Sequence, residues 1–303
     1  MSAAEGASEV RFGLCLPNFR KGASREGMQA AIETLDRLGW ASIWTTDHLL
    51  PDHSARAADY AEIFEAVTTL AWASAVTPRL RLGLSVLVVP MRNAVEQAST
   101  LATVDSLSGG RLEVGVGVGW SETEFANLGV SERFHVRGAY LDESIRLWRH
   151  LWSGSEEPFH GRFFSFDEYR FGPLPAQGAG LPITVGGKDP RALHRAGALA
   201  DGYQSSGLAA AEYLAKRDVV REAASAAGRP EPRFLARCQV VFDRPMPGGA
   251  GLSGSADELV AGVRAYRDAG VSELILDLRE FEPERVVAAI ERFDREVVAQ
   301  ITR

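Results

Sequence analysis

The chain has 303 residues, 46% of them hydrophobic and 24% charged, which supports a sizeable core and excludes a disordered chain. A formal net charge of −7 argues against a nucleic-acid or anionic-membrane partner, since either would favour a basic face. Only two cysteines occur, Cys15 and Cys238, both in strand-like apolar runs, so a cytoplasmic protein with reduced thiols and no disulfide framework is expected. Residues 1–9, MSAAEGASE, are small, polar and acidic; they are expected to be disordered and do not read as a signal peptide. No apolar run approaches the roughly 18 residues of a membrane span.

Strand and helix patterns then alternate along the chain. Residues 10–16 read as a strand, followed by a helix with Met28, Ile32, Leu35 and Leu38 on one face and Gly39 as its stop. A second strand over 40–46 leads through a polar loop, 47–59, to a helix marked by Ile63, Val67 and Leu70. The third strand is expected over 80–89, with Pro90 after it and Asn93 capping the next helix. Gly109-Gly110 is a turn signal before a fourth strand over 111–117. Ser121 and Glu124 read as a capping box, and Leu141, Ile145, Trp148 and Trp152 mark a longer helix.

Residues 153–180 break this rhythm, and FHGRFFSFDEYRF reads as an inserted β-hairpin. A fifth strand follows over 182–185, and Asp189-Pro190 starts the next helix. The sixth, seventh and eighth strands are expected over 201–205, 234–242 and 273–278, with helices between them and 243–254 as a glycine-rich loop. A second capping box, Ser255 with Glu258, precedes the penultimate helix. Eight strand–helix pairs with no internal linker predict one (β/α)8 TIM barrel over 1–303, with the hairpin inserted before strand 5. The competing architecture is a doubly wound sheet.

In such a barrel, chemistry sits in the loops after the strand C-termini. Gly117, Val118 and Gly119 lie there, as do Gly186, Gly187 and Lys188; backbone N–H groups plus a cation make a candidate phosphate site. Plain turns, with glycine only relieving crowding, are the alternative. Trp120 stands where the dinucleotide fingerprint G-x-G-x-x-G would need its third glycine. His48, at the end of the second strand, can donate or accept a proton near neutral pH, and Asp47 beside it could hold the imidazole tautomer or bond the backbone. The alternative makes Asp47 a loop cap and His48 a surface residue. No metal-ligand spacing and no G-x-S-x-G elbow occur, so neither a metal site nor a serine triad is expected. The apolar run from Ser85 to Pro90 suits either core packing or a flat aromatic ligand.

Taken together, WASIWTTDHLL, RLRLGLSVLVVPMRN, DSLSGGRLEVGVGVGWSETEF, FHGRFFSF and LPITVGGKDPRALHRAGALADGY resemble the bacterial luciferase-like monooxygenase superfamily. Within it, SGGR-x-x-x-GVG-x-GW with TDHL is most similar to the branch that uses the deazaflavin coenzyme F-420. The resemblance implies a luciferase-like barrel, a homodimer, and hydride transfer between deazaflavin and a small-molecule substrate. FMN-dependent oxygen chemistry fed by a flavin reductase is the alternative, and a non-catalytic flavin-binding protein a third. It also implies roles for individual residues. Ser85-Val86 matches a non-prolyl cis peptide that backs the cofactor ring, residues 117–119 and 186–188 match loops around its phosphate, and His48 matches a histidine near the reactive ring carbon. Sugar-phosphate and alcohol dehydrogenases of this branch carry a glutamate immediately after G-x-G-x-G. Trp120 occupies that position, so reduction of an activated double bond or carbonyl is expected instead.

Overall fold

The computed structural model describes residues 10–246 and 251–301. The disorder expected for 1–9 lies outside the described residues, as does 247–250 of the glycine-rich loop. Among the described residues twelve strands form: β1 (Arg11–Cys15), β2 (Ser42–Thr45), β3 (Arg81–Leu84), β4 (Leu87–Val88), β5 (Leu112–Gly117), β6 (Phe159–His160), β7 (Ser165–Phe166), β8 (Ile183–Gly186), β9 (Gly202–Ser206), β10 (Arg233–Phe242), β11 (Leu252–Gly254) and β12 (Glu273–Asp277). Eight of them pair in parallel, in the order β1, β2, β3, β5, β8, β9, β10, β12, and β12 pairs back with β1 to close the barrel. The doubly wound sheet is thereby excluded. β6 and β7 form the antiparallel hairpin expected before the fifth barrel strand.

Among the described residues nine α-helices run six residues or more: α1 (Arg25–Leu38), α2 (Ala66–Val76), α3 (Ala94–Leu107), α4 (Glu122–Asn127), α5 (Ser131–Trp152), α6 (Pro190–Leu199), α7 (Ala210–Ala226), α8 (Ala256–Asp268) and α9 (Pro283–Phe293). Their limits follow local chemistry. Asn93 accepts from the backbone N–H of Val95 and Glu96, Asp189 caps α6 with Pro190 at its first position, and Gly39 ends α1 at φ 79°. Helix faces and the outer faces of the strands share one apolar core, from Phe12 and Leu14 through Leu84, Trp148 and Trp152 to Phe293.

The barrel interior is filled in layers. At the N-terminal end Arg233 bridges Glu113 (2.8 Å) and Glu273 (3.2 Å), while Thr184 and Ser42 donate to the same two carboxylates. Above them Trp44 lies across the barrel; a Cβ on Gly83 would stand 2.1 Å from its ring, so glycine is required there. The upper layer is a second polar cluster. Arg20 makes a bidentate pair with Asp277 (3.0 and 2.9 Å) and reaches Asp59 (2.9 Å), and Arg237 lies beside Asp277 at 3.6 Å.

Two expected elements differ. The third strand breaks after Leu84 at a cis Ser85–Val86 peptide and resumes as β4. From Leu84 to Val89 the sequence carries no glycine or proline, so local pattern does not announce the break, although the family resemblance places a cis peptide there; two distant side chains hold it, as described below. Residues 252–254, read as loop, pair in parallel with β10 because that strand runs ten residues and extends past the barrel.

Cys15 and Cys238 are both free and buried. Among the described residues no helix is long and apolar enough to cross a membrane.

Candidate active site

The barrel gathers the expected residues at the C-terminal ends of β2, β3, β5 and β8. Because β5 and β8 are neighbours, with Val116 opposite Val185, the loops 117–119 and 186–188 leave the barrel side by side. Between them stands the cis-peptide shelf. A Cβ on Gly117 would lie 2.7 Å from one Val86 methyl, and a Cβ on Gly186 2.8 Å from the other. These two glycines therefore make room for Val86, so the crowding explanation holds at both. Val86 is half-buried, whereas Leu87, Val88, Val89, Pro90 and Met91 are buried. The apolar run is thus core, with one residue presented to the mouth.

The shelf is held from both sides. Arg237 donates from Nη1 to the Ser85 carbonyl (2.8 Å) and to Thr46 Oγ1 (2.9 Å). Asp47 accepts from the Val88 N–H at 2.8 Å and takes both arms of Arg92 at 2.7 Å. Asp47 therefore bonds the backbone and a guanidinium, and the expectation that it could hold the imidazole is corrected: that carboxylate is Glu124.

His48 is buried, 5% exposed, which excludes the surface reading. Its Nδ1 lies 2.7 Å from Glu124 Oε2, and Trp120 Nε1 donates to its Nε2 at 3.3 Å. Tyr60 covers the imidazole at 4.1 Å between ring centroids. A carboxylate only accepts and an indole N–H only donates, so partner chemistry assigns the proton to Nδ1 and the lone pair to Nε2. Glu124 was read as half of a capping box. Ser121 Oγ does accept from its N–H (3.2 Å), but the carboxylate does not return to the helix cap; its Oε1 takes the N–H of Leu49 at 2.7 Å. Ser255 and Glu258 form the complete reciprocal box, so the same sequence signature has two outcomes.

Lys188 is exposed and donates to the Gly207 carbonyl at 2.9 Å, which leaves two of its three N–H bonds for a ligand. Burial and the nearby cations Lys216 and Arg56 hold its ammonium below the ordinary lysine range, against Glu212. The loop thus carries local positive charge on a chain that is acidic overall. The backbone N–H groups of Gly119, Trp120 and Lys188 find no acceptor among the described residues. Free N–H donors, adjacent cations and an apolar shelf suit a planar ring system that bears a phosphate. No group of three His, Cys, Asp or Glu side chains among the described residues is placed to hold a metal.

A family model for luciferase-like monooxygenases matches residues 10–246. The chain belongs to the luciferase-like monooxygenase family. An uncharacterised protein of Mycobacterium tuberculosis is 30% identical over 260 residues, 83% of either chain. A coenzyme F-420-dependent glucose-6-phosphate dehydrogenase of Amycolatopsis mediterranei is 34% identical over 200 residues, covering 63% of this chain and 57% of that one. The oxygenating constituent of 3,6-diketocamphane monooxygenase from Pseudomonas putida, solved with FMN, shares the luciferase-like fold. Its TM-score is 0.78 at 16% identity, over 96% of this chain and 99% of that one. An F-420-dependent protein and an FMN-bound one thus both stand among this luciferase-like chain's relatives and fold neighbours.

The upper polar cluster and the His48–Glu124 pair both contribute to how this luciferase-like barrel responds to acid. Burial pushes the Asp277 carboxyl up, but Arg20 and then Arg237 outweigh it and hold it below the ordinary aspartate range. Burial likewise opposes ionisation of Glu124, and the bonds from His48 and the Leu49 N–H bring it below the ordinary glutamate range. Carboxyls depressed in the folded state add stability above their unfolded values, about 4, and lose it as pH falls through the folded ones. Thermal melts are therefore expected to hold steady from neutral pH to about 5 and to decline below about 4. Asp277→Asn should flatten that acid limb; an unchanged limb would remove Asp277 from the account.

Proposed function

We propose that the protein transfers a hydride between the deazaflavin coenzyme F-420 and a small organic substrate, with His48 as proton donor or acceptor. The observation that carries this reading is the buried Glu124–His48 pair, whose Nε2 meets Trp120 at the strand ends that also bear the Val86 shelf and the two N–H-rich loops. The similarity to an F-420-dependent dehydrogenase over 63% of the chain supports the choice of cofactor.

Ser85 and Val86 would back the ring, and residues 117–119 with 186–188 would take the phosphate. The deazaflavin supplies a two-electron carrier whose ring carbon gives or accepts a hydride. The chain supplies the proton chemistry. Nε2 accepts a proton from a substrate oxygen in one direction and returns it in the other, and the Glu124 carboxylate stabilises the imidazolium in between. Trp120, not a carboxylate, stands immediately after Gly119, and His48 is the side chain proposed for that proton. An activated double bond or carbonyl is the substrate class to screen first.

An FMN-dependent monooxygenase, supplied by a flavin reductase, is the second reading, favoured by the FMN-bound protein of the same fold. Titrating the purified protein with coenzyme F-420 and separately with FMN, following tryptophan fluorescence, tests the choice. Tight deazaflavin binding with weak FMN binding is the expected result. The reverse would install the oxygen-using reading, and binding of either without turnover on any substrate would leave a carrier protein.

A further inference from the structure

His48 and Leu49 are consecutive residues, and both donate to one carboxylate. Glu124 Oε2 takes Nδ1–H of the imidazole and Oε1 takes the Leu49 N–H, each at 2.7 Å, and the Glu124 side chain is fully buried. Leu49 opens a loop, 49–60, that is clasped to α4 and the residues before it at three more places. Asn127 donates to the Leu50 carbonyl (3.1 Å), Ser121 donates to Asp52 (2.6 Å), and the Arg56 guanidinium lies 4.1 Å over the Trp120 ring. The loop ends at Tyr60, whose ring covers the imidazole. The loop that closes over His48 and the hydrogen bond that sets its tautomer thus share one acceptor group.

We propose that Glu124 is a positioning residue that ties closure of loop 49–60 to the tautomer of His48. With the loop docked, the Nδ1 proton is held on Glu124 and the Nε2 lone pair is directed at Trp120, the arrangement a proton acceptor needs. Lifting Leu49 off Oε1 displaces the residue next to it, so the imidazole loses its carboxylate in the same movement. Access to the site and readiness of its proton group are therefore one event. Only a carboxylate serves both donors; a glutamine offers a single acceptor oxygen and a clashing N–H₂. The chemical role of the imidazole rests on the function proposed above, but the coupling itself belongs to the protein alone.

The test uses 15N-labelled protein without cofactor. Long-range 15N–1H spectra of the imidazole report the tautomer, and amide hydrogen exchange reports the loop. Wild-type His48 is expected as the single Nδ1–H tautomer. In Glu124→Gln the imidazole should become a mixture, and exchange at Leu49 and its neighbours should rise by about 10-fold or more, the loss of a hydrogen bond to a charged group. Asn127→Ala, which opens only the Leu50 clasp, should speed exchange locally and leave the imidazole signals in place. With cofactor, Glu124→Gln should lower kcat by about 10- to 100-fold and move KM little. An Nε2–H tautomer in the wild type overturns the proposal without any variant. So does a Glu124→Gln protein in which only one of the two protein readouts moves. If both move but His48→Ala keeps full turnover, the coupling stands and the catalytic role of His48 falls.

Discussion

Replacing His48 with Ala or Gln is expected to lower turnover by about 100- to 10,000-fold, the usual contribution of a positioned acid–base group. The site explains the size of the effect. Tyr60, Trp120 and Glu124 surround the imidazole, and Nε2 is the ring nitrogen that no carboxylate holds, its partner being a single indole N–H. Glutamine approximates the shape but cannot change charge, so the comparison of Ala with Gln separates packing from proton transfer. Cofactor affinity should change little, because the Val86 shelf and the loops 117–119 and 186–188 proposed to take the phosphate do not include these side chains. Thermal melts run alongside guard against partial unfolding. Turnover within about 3-fold of wild type in both variants would remove His48 from the mechanism.

The second large effect concerns stability. Arg92→Met is expected to destabilise the fold by about 3–5 kcal/mol, the cost of leaving a buried charge without its partner. Asp47 has a fully buried side chain, and after the substitution only the Val88 N–H would still face it. Methionine keeps much of the arginine's packing volume, so the loss reports on charge and hydrogen bonding. Urea denaturation measures it, and adding Asp47→Asn should recover part of the loss, because an amide tolerates burial better than a carboxylate. A cost below about 1 kcal/mol would mean that the pair is weakly coupled to folding. Since Asp47 also holds β4 directly after the cis Ser85–Val86 peptide, this ion pair supports the shelf on which the proposed cofactor would rest.

Much of this was written along the chain. Apolar periodicity, Gly39 after α1, Asn93 before α3 and Asp189-Pro190 before α6 set where elements begin and end, because caps and turns are interactions between residues three or four apart. Eight such units, each with one apolar face, have few ways to bury them together, and the barrel is one. The position of His48 directly after a strand was likewise enough to mark it, since the top of a barrel is where strand ends meet.

The partners were decided elsewhere. Glu124 is 76 positions from His48, Arg237 is 152 from the Ser85 carbonyl it holds, and Asp277 is 257 from Arg20. A glutamate three residues after a serine reads as a capping box equally well before α4 and before α8, so local pattern could not say that Glu124 would turn to an imidazole while Glu258 stayed with its helix. The break in the third strand has the same character: the groups that hold it, Arg237 on the Ser85 carbonyl and Asp47 on the Val88 N–H, come from elsewhere in the chain, and Gly117 and Gly186 leave the space for Val86. The sequence by itself determined the elements, the barrel and the loops in which chemistry would lie, because these follow from neighbours along the chain. Closure of the barrel decided which carboxylate serves the histidine and what the glycines make room for, because those energies arise only when distant side chains are brought within hydrogen-bonding reach.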